Sequence, residues 1–149
     1  MAIKPLPNSI VLYVPSVEKN PFVYCKDDGT MGDGIGSMSD PAVMVAVEQS
    51  AADSRYVSLR FTNNNKYWQK SASDNSIVAV SSQKVEDTTD PSCTLFQETV
   101  QSVDEVYFVH VQTGWPVMIN NLTRTLHVDQ NGSARALYFI DGSTIAQST

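Results

Sequence analysis

The side chains able to do chemistry in this 149-residue chain are few and far apart. His110 and His127 lie on different expected strands, and neither triad spacing nor a nucleophile elbow accompanies them. Adding Cys25 and Cys93 does not produce three well-spaced ligands for zinc. Gly32-Asp33-Gly34-Ile35-Gly36 has the glycines of a phosphate loop, but such a loop opens a helix after a strand and no helical pattern follows. Asp27-Asp28-Gly29 with Asp33 resembles half a calcium loop, yet the twelfth position from Asp27 is Met38, which cannot supply the bidentate carboxylate. This stretch and the acidic run with Glu86, Asp87 and Asp90 both read as solvated turns. No catalytic residue, metal or cofactor is expected.

Binding chemistry is better represented. A neutral sugar is recognised by an aromatic face over its C–H patch, with amides or carboxylates bonding neighbouring hydroxyls, and it needs no basic patch. Trp68 and Trp115 are the available platforms. Aligning Asn20-Pro21-Phe22-Val23, Asn65-Lys66-Tyr67-Trp68 and Trp115-Pro116-Val117-Met118 puts Trp68 at an apolar position in all three segments, hence in the core. Trp115 then falls with Asn20 and Asn65 at a turn, where an indole is not needed for packing and either stays partly exposed as a ligand platform or folds back onto the barrel.

That alignment rests on a repeat. Apolar stretches begin at Ile10, Tyr56 and Val106, 46 and then 50 residues apart, and three further strand-like stretches follow each. The expected strands are 10–14, 22–25, 35–38 and 42–47; 56–61, 67–70, 77–80 and 93–97; 106–111, 117–120, 125–128 and 136–140. Asp40-Pro41 and Asp90-Pro91 precede two of the fourth strands, where proline ends a loop without removing a ladder bond. Asn63-Asn64-Asn65, Gln130-Asn131-Gly132 and Asp27-Asp28-Gly29 have turn chemistry. Three four-stranded units predict an all-β fold of twelve strands, a pseudo-threefold β-trefoil, in preference to a propeller or a flat sandwich. Little helix is expected, since Val43, Val45 and Val47 alternate where the pattern comes nearest to helical.

Length supports one domain over 1–149, able to fold without a disulfide staple. A net charge of −6 argues against nucleic acid or an anionic membrane as partner. No apolar run spans a bilayer and Met1-Ala2-Ile3-Lys4-Pro5 has no signal-peptide core, which predicts a cytoplasmic or nucleocytoplasmic chain with free, buried thiols at Cys25 and Cys93. The sequons Asn121-Leu122-Thr123 and Asn131-Gly132-Ser133 then serve only as surface-loop markers. The polar stretch Asp141 to Thr149 suits the start of a linker, so the domain can be one module of a longer chain.

The middle unit resembles a known family. Tyr56-Val57-Ser58-Leu59-Arg60, Asn65-Lys66-Tyr67-Trp68, Ile77-Val78-Ala79, Ser92-Cys93-Thr94-Leu95-Phe96 and His110-Val111-Gln112 are similar to the amaranthin-type agglutinin domain of plants. The resemblance implies a β-trefoil lectin without catalysis or an obligatory metal, favouring galactose and N-acetylgalactosamine glycans. It also implies a sugar site at an interface between trefoil domains, so that a homodimer or pairing with another trefoil completes it, and it allows fusion to a pore-forming module in a defence protein. The family's binding segment, rich in Asn and aromatics, falls here on Ser73-Asp74-Asn75-Ser76. Asp74, Asn75 and Ser76 can bind hydroxyls; the aromatics are absent, leaving Trp115 or Tyr67 as the stacking partner, a changed sugar preference, or lost binding. Two function classes remain open: a carbohydrate-binding module, or a trefoil acting through protein contacts as a protease inhibitor or signalling-type binder.

Overall fold

The computed structural model describes residues 6–14, 21–120, 122–132 and 137–145. Met1 to Pro5, Asn20, Asn121, Ser133 and residues 146–149, which carry parts of the expectations above, lie outside the described residues. The described residues form twelve strands: β1 (Ser9–Tyr13), β2 (Phe22–Cys25), β3 (Met31–Ile35), β4 (Met44–Gln49), β5 (Tyr56–Phe61), β6 (Lys66–Lys70), β7 (Ile77–Ser81), β8 (Leu95–Val100), β9 (Glu105–His110), β10 (Val117–Ile119), β11 (Leu126–Val128) and β12 (Leu137–Asp141). Helical structure among them is limited to two 3-10 turns, Pro41–Val43 and Gly142–Thr144.

All named pairings are antiparallel. β1 pairs with β4, β4 with β5, β5 with β8, β8 with β9, β9 with β12, and β12 with β1, so six strands close into a ring. Closure leaves the ring without exposed edges. The hairpins β2–β3, β6–β7 and β10–β11 come from the middle of each unit. Isolated bridges join these hairpins in a cycle: Thr30 to Val78, Ser76 to His127, and Thr125 to Gly32. Beside those bridges Met31, Ile77 and Leu126 are fully buried.

The alternation along the ring strands builds the core. Ile10 and Leu12, Val57 and Leu59, and Val106 and Phe108 all belong to one buried cluster. Trp68 is 0% exposed, with its ring 5.9 Å from Phe61, 6.2 Å from Phe96 and 6.0 Å from Phe108. The expected core position of Trp68 is therefore observed.

Two expectations need correction. The third strand of the first unit is Met31–Ile35, not 35–38. Its glycines weaken the strand pattern but serve packing: a Cβ on Gly32 would collide with the main-chain oxygen of Arg124, and one on Gly34 would lie 2.7 Å from the Tyr24 ring. The second correction concerns the third unit, whose alignment slips by one residue. Asn65 and Gly114 share a left-handed backbone, φ 60° and 73°, and their amides donate to Phe61 and His110 respectively. Gly114, not Trp115, thus occupies the Asn65 turn position, and buried Val117, not Met118, corresponds to Trp68.

β4 and β8 start later than expected because the Asp-Pro segments form caps first. Asp40 Oδ1 accepts from the Ala42 amide and Asp90 Oδ1 from the Ser92 amide, each at 2.9 Å. These are the side-chain-to-backbone bonds that Asp forms at turns.

Candidate functional site

The β6–β7 turn carries Asp74, Asn75 and Ser76. Asp74 Oδ1 accepts from the Ser76 amide at 2.9 Å, while Lys70 Nζ donates to the Asp74 carbonyl at 2.8 Å. The Ser76 amide also holds the Asp74 carboxyl below the usual carboxylate range. Asp74 and Asn75 are exposed and Ser76 half-buried. Across the hairpin cycle, the Val128 amide donates to the Asn75 carbonyl at 2.8 Å.

Trp115 arrives from the β9–β10 turn. Its amide donates to Thr113 Oγ1 at 3.2 Å, and its carbonyl accepts from the His110 amide at 2.9 Å. The indole is half-buried and lies against the main core cluster, so it is neither fully enclosed nor a freely projecting platform. The next residue, Pro116, accepts at its carbonyl from the Asp129 amide at 3.2 Å. The Asp74–Ser76 turn and the Trp115–Pro116 segment are therefore bonded to consecutive residues, Val128 and Asp129, at the end of β11. Sequence reasoning missed Val128, Asp129 and His127, since nothing local marks a strand end as the meeting point of two distant turns. The pairing of equivalent residues around the hairpin cycle is the signal that locates them.

His110 supports this arrangement from inside. The Thr113 amide donates to its Nδ1 at 3.3 Å, and Thr113 Oγ1 lies 2.9 Å from the same nitrogen. The ring is wholly buried and desolvation lowers its pKa to about 4, against a smaller opposing effect of the Cys93 backbone. A neutral imidazole thus anchors the turn that presents Trp115.

Tyr67, the other ring considered for stacking, is already engaged. It is buried, its hydroxyl donates to Glu48 at 2.7 Å, and the Lys84 ammonium lies 6.0 Å from the ring centroid. Glu48 also accepts from Arg60 at 2.9 Å and pairs with Lys84 at 3.0 Å. Burial would raise the Glu48 carboxyl, but bonds from Tyr67, Arg60 and Lys84 outweigh it and hold the pKa at about 2.

Several of the remaining acidic side chains have partners. Asp28 accepts from Thr30, and Asp87 from Thr89, as turn caps. Glu86 accepts from the Ala51 amide at 3.0 Å. Asp33 departs from the expected solvated turn: it is buried and paired with Arg124 at 2.5 Å, joining the first hairpin to the third. Both thiols are free; Cys93 is buried, but Cys25 is only half-buried, against expectation, and burial raises both pKa values. Among the described residues no group of three or more His, Cys, Asp or Glu could hold a metal ion, and no helix is long and apolar enough to cross a membrane.

A family model described as agglutinin domain matches residues 24–129. No curated protein matches the chain.

Proposed function

Because the chain belongs to the agglutinin-domain family, whose amaranthin-type members are lectins, we propose that it binds galactose- or N-acetylgalactosamine-type glycans without catalysis. The binding surface is the end of β11, where Asp74, Asn75 and Ser76 supply hydroxyl-binding groups and Trp115 supplies the apolar face. The observation that carries this reading is the pair of bonds from Val128 and Asp129 to Asn75 and Pro116. They hold two turns far apart in sequence against one strand end, as a shallow glycan site requires.

We read the six-stranded ring with its three cyclically bridged hairpins as a β-trefoil. Both the closure and the cycle of bridges support that reading. A single shallow site binds weakly, so pairing with a second trefoil domain, in a homodimer or along a longer chain, supplies avidity.

A calorimetric titration with galactosyl-β1,3-N-acetylgalactosamine tests the proposal. Saturable binding whose affinity weakens about 3- to 10-fold in Trp115→Ala is expected, the range for losing one aromatic contact. Because the indole also touches the core, the variant should lose about 1–2 kcal/mol of stability while remaining folded. Unchanged affinity in folded Trp115→Ala would remove Trp115 from the site, and no binding by the parent chain would reject this sugar class.

A further inference from the structure

The first and middle units carry different chemistry at one equivalent place on the outside of the ring. Tyr67 pairs with Arg60 of β5, and two residues back along that strand Ser58 pairs with Glu48 of β4. In the first unit Phe22 pairs with Tyr13 of β1, and two residues back Val11 pairs with Ile140 of β12. Phe22 and Ile140 thus stand where the middle unit has Tyr67 and Glu48.

The chemistry at the two places is opposite. In the middle unit Tyr67, Arg60 and Lys84 converge on Glu48, and the Lys84 ammonium sits by the Tyr67 ring. The same place in the first unit has neither the acid nor the phenol. It is a cleft of about 500 Å³ lined by Phe22, Met38, Ile140 and Ile145, with Ser37 and Thr144 contributing hydroxyls. Such a volume is in the range of small-molecule sites. Met38 is 45% exposed at its edge. Thr144 Oγ1 donates its proton to the Asp141 carbonyl at 2.7 Å, which leaves its oxygen oriented as an acceptor.

We propose that the cleft over Phe22 is a second binding site, separate from the end of β11, for a neutral saccharide residue with an apolar C–H face. No lining residue among those described carries a charge, so a charged ligand would lose its hydration without gaining a partner. A wholly apolar ligand would cover the Ser37 and Thr144 oxygens without offering them a hydrogen bond. A pyranose meets both requirements: its C–H face lies on Phe22 and the aliphatic side chains, and its hydroxyls reach the rim. The site does not depend on the glycan reading of the other surface.

The test is methyl NMR on protein labelled at the methionine methyls, with the Met38 signal assigned by its loss in Met38→Lys. Methyl β-D-galactopyranoside and methyl β-D-glucopyranoside are titrated separately, with 1-hexanol as an apolar probe. At least one glycoside should shift the Met38 signal saturably at millimolar concentration, and the shift should persist in Asn75→Ala. Thr144→Val should weaken that binding roughly 2- to 10-fold, as expected for one lost hydrogen bond. The proposal is overturned if neither glycoside moves Met38, if only hexanol does, or if the shift disappears in Asn75→Ala. Disaccharide binding by the parent chain with a silent Met38 would reject the cleft alone.

Discussion

The Val128 main-chain amide donates to the Asn75 carbonyl at 2.8 Å, which ties the β6–β7 turn of the middle unit to the third hairpin. The Asn75 side chain takes no part in that bond and is exposed. Asn75→Ala should therefore keep stability within about 0.5 kcal/mol of the parent chain. Glycan affinity should fall roughly 2- to 10-fold. A thermal melt beside a disaccharide titration measures both, and a large loss of stability would show that the side chain braces the turn.

His110 makes folding sensitive to acid. In the folded chain its pKa is about 4, compared with about 6.5 in an unfolded chain. Between these values the unfolded state takes up a proton that the folded state refuses. Its stabilising effect is fully present above pH 6.5 and is lost as pH falls toward 4, amounting to about 3 kcal/mol. Denaturant unfolding between pH 7 and pH 4 should show this slope, and His110→Gln should flatten it. An unchanged slope in the variant would assign the effect to another group.

Glu98 occupies a place that the other units fill with hydrocarbon. It pairs with Phe108 on β9 as Phe139 pairs with Leu12 and Val47 pairs with Leu59. Phe139 and Val47 are buried, whereas Glu98 brings an Oε2 with no hydrogen-bond partner into the same position. Desolvation raises its pKa. The penalty is absent below the unfolded value of about 4.3 and grows as pH rises through the folded value. Glu98→Leu should raise Tm at pH 7, by roughly 2–4 °C for each kcal/mol gained, and by less at pH 4. A lower Tm at pH 7 would mean that the carboxylate has a stabilising partner.

Gly32→Ala tests the cycle of hairpins. The new Cβ would press on the main-chain oxygen of Arg124, whose side chain pairs with Asp33 next door. A backbone atom cannot rotate away, so the substitution should cost about 1–3 kcal/mol. Gly114→Ala, where no atom lies within 4 Å of the new Cβ, should be destabilised only through its φ of 73°. Equal tolerance at both sites, read by denaturant unfolding, would contradict the close approach.

Much of the fold was legible because β-structure writes itself locally. Alternating Val, Ile, Leu and aromatic residues locate ring strands such as Tyr56–Phe61 within a few positions, and Asp-Pro pairs mark the turns before β4 and β8. The same pattern placed Trp68 inside. Met31–Ile35 was not legible, because glycines chosen for a close approach look like a loop until the approaching chain is known.

Short-range alternation and turn chemistry account for a count of twelve strands, though not for the place of β3, for an apolar face on each ring strand and for a buried Trp68. Long-range contacts alone reveal that Gly114 answers Asn65, that Glu98 shares the position of buried Val47 and Phe139, and that Asn75 and Pro116 bond the same end of β11. The physical reason is register. A one-residue slip preserves composition and turn residues but turns every side chain to the opposite face, and cross-chain hydrogen bonds between distant residues select one register.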